Sequence, residues 1–162
     1  MPILEIDIDI KDDKWTKKYP DIDEQTRFII AHITNLLIET IPHIEISIVL
    51  ANDSFIQELN KKHRNKDAPT NVLSFPQTDA ETLVAPAPFL GLGDIVFAYE
   101  TIAKEAAEQN KKVKNHFTHM LVHGCLHLLH YDHETNDEAQ EMEELEIDIL
   151  EMLNIKNPYE KH

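Results

Sequence analysis

The sequence predicts an α+β domain in which a small mixed sheet of four strands packs with helices around one central, buried, histidine-bearing helix. Three observations carry that expectation. Apolar residues at the start of the chain recur at every second position, whereas those of several later segments recur at helical spacing. The elements run strand, helix, strand, helix, two strands and then three helices, so helices gather late instead of alternating with strands. With 162 residues, 42% apolar side chains and only three glycines, residues 1–162 make one ordered domain able to bury a core without covalent staples.

Ile3, Leu4, Ile6, Ile8 and Ile10, set among Glu5, Asp7 and Asp9, give the first strand. The spacing of Phe28, Ile29, Ala31, Ile33, Leu36 and Leu37 predicts a helix from Asp21 to about Ile41, stopped by Pro42. HIEISIVLA (43–51) is the second strand, and Asn52, Asp53 and Ser54 offer caps for a short helix ending near Lys62. VLSF (72–75) and GDIVFA (93–98) complete the sheet. Between them QTDAETLVAPAPFLGLG, with Pro86, Pro88, Gly91 and Gly93, reads as a long loop of the kind kept as a flap over a site. Helices follow at Tyr99 to Asn110, Lys112 to about Leu129 and Asp137 to Leu153. No repeat, low-complexity segment or linker interrupts the order.

Cys125 is the only cysteine, so no internal disulfide forms, no disulfide-linked partner is expected, and a reducing compartment is the natural setting. MPILEIDIDI lacks the basic start and continuous apolar run of a signal peptide, and no other run approaches a membrane span. A soluble, cytoplasmic protein with no membrane partner is expected. The net charge of −15 at first argues against a polyanionic partner. The charge is uneven, however: residues 61–114 hold 8 Lys/Arg against 7 Asp/Glu, while both flanks are acidic. Lys61, Lys62, Arg64 and Lys66 cluster in NKKHRNKD, and Lys111, Lys112 and Lys114 precede the histidines; ordinary solvated charge is the alternative reading. The last helix carries no Lys or Arg from 132 to 151. It is read as a solvated acidic face, or as a surface that docks on a basic ribosomal protein.

HGCLHLLHYDH (123–133) packs four histidines among core-type apolar residues. At 100° per residue His116, His119, His123, His127 and His130 fall within roughly an 80° sector of one helix face. Burying several neutral imidazoles is costly unless each finds a partner, and a divalent ion satisfies three at once. His123 and His127 are one turn apart, the spacing that lets two imidazoles converge on one ion, and His133 returns as a third ligand if the chain bends near residue 130. Three nitrogen ligands leave a fourth position open, the pattern of a catalytic zinc site. The spacing alone serves nickel, cobalt or copper equally.

HGCLHLLHYDH resembles the HGxLHLxGYDH signature of the YbeY family, single-strand-specific metallo-endoribonucleases of ribosomal RNA maturation and ribosome quality control. LNKKHRNKDAPTNVLSFP (59–76) is similar to that family's second block and LGDIVFA (92–98) to its third, so the likeness covers roughly residues 45–153. The resemblance implies a zincin-like α+β fold, one Zn2+ held by His123, His127 and His133, a functionally important arginine at Arg64, and action on single-stranded ribosomal RNA, at the 16S 3′ end. The family's glycine before Tyr-Asp-His is His130 here. A left-handed turn at that point costs a residue with a Cβ about 1 to 2 kcal/mol, and the alternative is that His130 joins the metal as a ligand or proton carrier.

A zinc ion with an open position acidifies water and polarises a phosphoryl oxygen. The general-base glutamate of HExxH proteases is Gly124 here, which disfavours peptide hydrolysis by that route. Arg64 offers bidentate bonds to phosphate, helped by Lys62 or Lys66, unless it forms a structural salt bridge. His119 is a candidate proton shuttle or a packed histidine. Asp132 orients a ligand or caps a loop. Thr70, Asn71 and Ser74 are candidates to line the cleft. A metalloprotease and a non-catalytic, metal-stabilised ribosome-assembly factor remain as alternatives.

Overall fold

In the computed structural model, which describes residues 3–79, 81, 83 and 88–159, a four-stranded mixed sheet carries helices on both faces. Strands β1 (Ile3–Ile10), β2 (His43–Ala51), β3 (Val72–Pro76) and β4 (Leu90–Ala98) lie in the order β1-β2-β4-β3. β1, β2 and β4 are mutually parallel, and β3 pairs antiparallel to β4 at the edge. Alternation along β1 puts Leu4, Ile6, Ile8 and Ile10 against the core and leaves Glu5, Asp7 and Asp9 exposed.

The helices are α1 (Lys14–Lys18), α2 (Ile22–Leu37), α3 (Asp53–Arg64), α4 (Tyr99–Glu108), α5 (Val113–Leu128) and α6 (Asn136–Met152). α5 runs through the middle of the domain, against the sheet and against α2, α4 and α6. From His116 to Leu128 it is buried except at His123 and His127, which are half-buried. Ile44, Ile46, Ile48 and Leu50 of β2 face this main core, whereas Ile56 of α3 packs on the opposite face with Ala51, Leu73, Val96 and Ala98. Among the described residues no helix is long and apolar enough to cross a membrane.

Several boundaries differ from the sequence expectation for local reasons. α1 was not anticipated: five residues give no periodicity, and it is held by Trp15, fully buried, whose indole N–H donates to Ala51 O at 2.8 Å. α2 stops at Leu37 rather than Ile41, because Ile41 precedes a proline and turns inward to a buried position. α3 extends to Arg64, where Asn65 adopts a left-handed conformation (φ 58°). β4 begins at Leu90, so Leu90–Gly93 belong to the sheet, with a bulge opposite Glu45 and Ile46. Gly93 is obligatory there: at φ 136° an added Cβ would lie 2.2 Å from Phe75 O. The flap expected over 77–93 is therefore shortened, and much of it, at 80, 82 and 84–87 with Pro86, lies outside the described residues.

A three-histidine centre in an open cleft

The geometry of the candidate metal site begins with the end of α5. Helical spacing stacks His123 and His127 one turn apart on the cleft-facing side, and their Nε2 atoms approach to 3.0 Å. The helix then closes in a Schellman motif: His130 N–H donates to His127 O (2.9 Å) and Tyr131 N–H to Leu126 O (3.0 Å), with His130 left-handed at φ 66°. The chain so reversed carries His133 back, and ligand atoms of His123, His127 and His133 all lie within 4.8 Å of one another. A tetrahedral ion with bonds of 2.0–2.1 Å spaces its nitrogen ligands about 3.3 Å apart, so the donor set fits a divalent metal after small adjustments.

The protonation pattern also suits a metal. Nδ1 of His123 is hydrogen-bonded to Oε1 of Glu146 on α6, which places the proton on Nδ1 and the lone pair on Nε2, the atom facing His127. Burial, reinforced by the neighbouring His123 and His133 rings, lowers the pKa of His127 to about 4, keeping that imidazole neutral at physiological pH. Burial raises the pKa of Glu146, but hydrogen bonds from His119, His123 and Tyr159 outweigh it and hold the carboxyl at about 2. Both folded values lie below the unfolded ones, so both groups weaken the fold as acid protonates the unfolded chain first. The melting temperature of the metal-free protein should fall as pH drops from about 6.5 to 4 through His127, and further towards 2 through Glu146. A melting temperature constant from pH 6.5 to 4 would contradict the assignment for His127.

The three histidines open on a cleft of about 580 Å3, lined also by Arg64, Thr70, Asn71, Ser74 and Asp132. Arg64 closes α3 and is held at the cleft by a bond from one guanidinium N–H to Ser74 O (3.1 Å) and by the face of Phe75, 5.5 Å from the ring centroid. Among the described residues no carboxylate pairs with it, so the salt-bridge alternative is not what the structure places there. Lys62 and Lys66 are exposed and do not line the cleft. Asp132 accepts the His133 backbone N–H at 2.7 Å, which fits the loop-capping reading, with its Oδ1 3.9 Å from His133 Nδ1. Asn71 donates to Glu105 (2.9 Å), which also takes Nε2 of His116 (2.9 Å). Cys125 is buried and free, its thiol pushed up to about 12 by burial, and has no part in the site.

The remaining candidates take the following places. His119 stands behind the centre rather than in the cleft, its Nε2 3.1 Å from Oε2 of Glu146. His130 lines the same cleft, but its Nε2–H donates to Thr78 O, and it is not among the clustered ligand atoms of His123, His127 and His133. The acidic last helix is solvated along most of its length, yet Glu146 is fully buried on it. The sequence did hold a signal for that residue: Met142, Glu146, Ile149 and Leu150 share the apolar spacing that marks the buried face of a helix. Gly124, at the position of the protease glutamate, packs so close to the sheet that a Cβ would meet Ile95 at 3.0 Å and Ser74 Oγ at 3.2 Å, leaving no room for a carboxylate. His130→Gly relieves the left-handed cost and should leave metal stoichiometry and affinity unchanged in a chelator competition; a tenfold loss of affinity would make His130 a ligand after all.

The endoribonuclease YbeY family profile matches residues 8–154. The chain is 45% identical over 157 residues to an endoribonuclease YbeY of Paramagnetospirillum magneticum, covering 96% of each, and 43% identical over 157 residues to one of Bartonella bacilliformis, covering 97% of this chain and 98% of that relative. A Thermotoga maritima protein solved in solution shares the fold at a TM-score of 0.58 and 19% identity, with 96% of both chains aligned. On a match of this length and identity, the chain belongs to the YbeY endoribonuclease family.

Proposed function

We propose that this chain is a zinc-dependent endoribonuclease, a single zincin-like metallohydrolase domain that cuts single-stranded RNA. Its place is in ribosomal RNA processing, at the 3′ end of 16S rRNA, and in ribosome quality control, within the cytoplasm. The observation that carries the reading is that His123, His127, His133 and Arg64 open on one cleft, in a chain whose relatives are named as endoribonucleases. His123, His127 and His133 hold the ion. When bound it supplies Lewis-acid polarisation of a phosphoryl oxygen and an acidified water. Arg64, with most of its N–H groups unspent on the fold, binds the scissile phosphate. Lys62 and Lys66, exposed around the end of α3, bind phosphates on the flanking chain by charge alone. His119 acts through Glu146 rather than as a proton shuttle.

A protease reading would need a general base beside the metal. Glu146 is the carboxylate that the last helix brings to the centre, but it is buried and bound on the Nδ1 side of His123, away from the cleft. The purified protein should cut unstructured RNA, leave duplex RNA and casein intact, and lose activity to a chelator, with recovery on zinc addition. Casein cleavage, or RNA cleavage indifferent to chelation, would refute this reading; metal binding without any cleavage would favour the assembly factor.

A further inference from the structure

We propose that Glu146 is the positioning residue of the metal centre: it fixes His123 as the Nδ1–H tautomer with Nε2 presented to the ion, and His119 and Tyr159 clamp the carboxylate for that task. The proposal rests on the metal-binding reading above. Glu146 is fully buried, and among the described residues no Lys or Arg pairs with it. A buried carboxylate without a cation is expensive unless its hydrogen bonds are filled, and an apolar side chain would stabilise the core at least as well. Its two oxygens are divided between two tasks. Oε1 takes only His123, whereas Oε2 takes His119 at 3.1 Å and the hydroxyl of Tyr159. Two donors on the outer oxygen prevent the carboxylate from rotating and leave the inner one trained on the ligand. Tyr159 arrives from the C-terminal segment, beyond the left-handed turn at Asn154, so that segment is part of the support of the metal centre.

Outer partners of a ligating histidine are worth about 10- to 100-fold in metal affinity. Glu146→Leu, which fills the buried site without polar atoms, should therefore lower zinc affinity about 10- to 100-fold in competition with a chromophoric chelator. Glu146→Gln, a neutral acceptor of the same shape, should recover part of that loss, and Tyr159→Phe should lower affinity less than Glu146→Leu. Nitrogen-15 spectra of the metal-free protein should show His123 protonated at Nδ1 in the wild type and a mixed tautomer in Glu146→Leu. Met142→Ala removes core volume from the same helix without touching these bonds, and should lower the melting temperature while leaving zinc affinity and tautomer unchanged. Wild-type affinity in Glu146→Leu, or an equal loss in Met142→Ala, would overturn the positioning role. Failure of the wild-type protein to bind zinc would instead overturn the metal reading, and this proposal with it.

Discussion

His127→Ala is expected to release the metal and abolish RNA cleavage together. Its Nε2 lies 3.0 Å from that of His123, and these two, on one turn of a helix locked between the sheet and three other helices, are the rigid half of the donor set. His133, by contrast, is exposed and sits on the returning loop. Removing a partner that merely orients a ligand lowers affinity by about 10- to 100-fold, so loss of a ligand itself should exceed about 100-fold. The ring is half-buried and neutral, and its truncation costs little folding energy, so the variant should remain folded by circular dichroism while dialysed protein carries less than a tenth of the wild-type metal. Full metal content with intact cleavage would remove His127 from the site.

Arg64→Ala should separate what His127→Ala joins. Among the described residues the guanidinium makes no hydrogen bond to the three histidines; its anchors are Ser74 O and the ring of Phe75. Metal content should therefore be unchanged. Removing one preorganised electrostatic group from a site where charge develops costs about a hundred- to a thousand-fold in turnover. Arg64→Lys should recover only a small part, because an ammonium is a point charge that cannot bond two phosphate oxygens in a planar fork. Steady-state cleavage of a short fluorogenic RNA checks both variants. Cleavage at the wild-type rate in Arg64→Ala, or loss of metal from it, would contradict the role in phosphate binding.

What the sequence made legible follows from how local each determinant is. Alternation in β1, the caps at Asn52, and the one-turn spacing of His123 and His127 are properties of neighbouring residues, and all three are as expected. The return of His133 was readable as a possibility, since a bend near residue 130 was required; the Schellman geometry that delivers it uses a histidine where glycine is the easy choice. With three glycines in the chain, the other left-handed positions fall to Asn65, Asn110 and Asn154, the residue type next most tolerant of that conformation. Gly91 and Gly93 read as loop punctuation for the opposite reason: both pair within β4, on either side of the bulge at Leu92, and residue 93 is glycine because Phe75 O passes too close for a side chain. Trp15 and Glu146 were the least legible. Each is settled by a partner far along the chain, Ala51 for one and His123 for the other, and no local pattern of charge or spacing names that partner.

The most direct test of the three-histidine centre is X-ray absorption at the zinc edge on the metal-loaded protein, with metal analysis of the same sample. One zinc per chain should appear, bound by three imidazole nitrogens at about 2.0–2.1 Å and one further light atom from outside the protein. A sulfur ligand, a protein carboxylate in the fourth position, or fewer than three imidazoles would contradict an open site built from His123, His127 and His133.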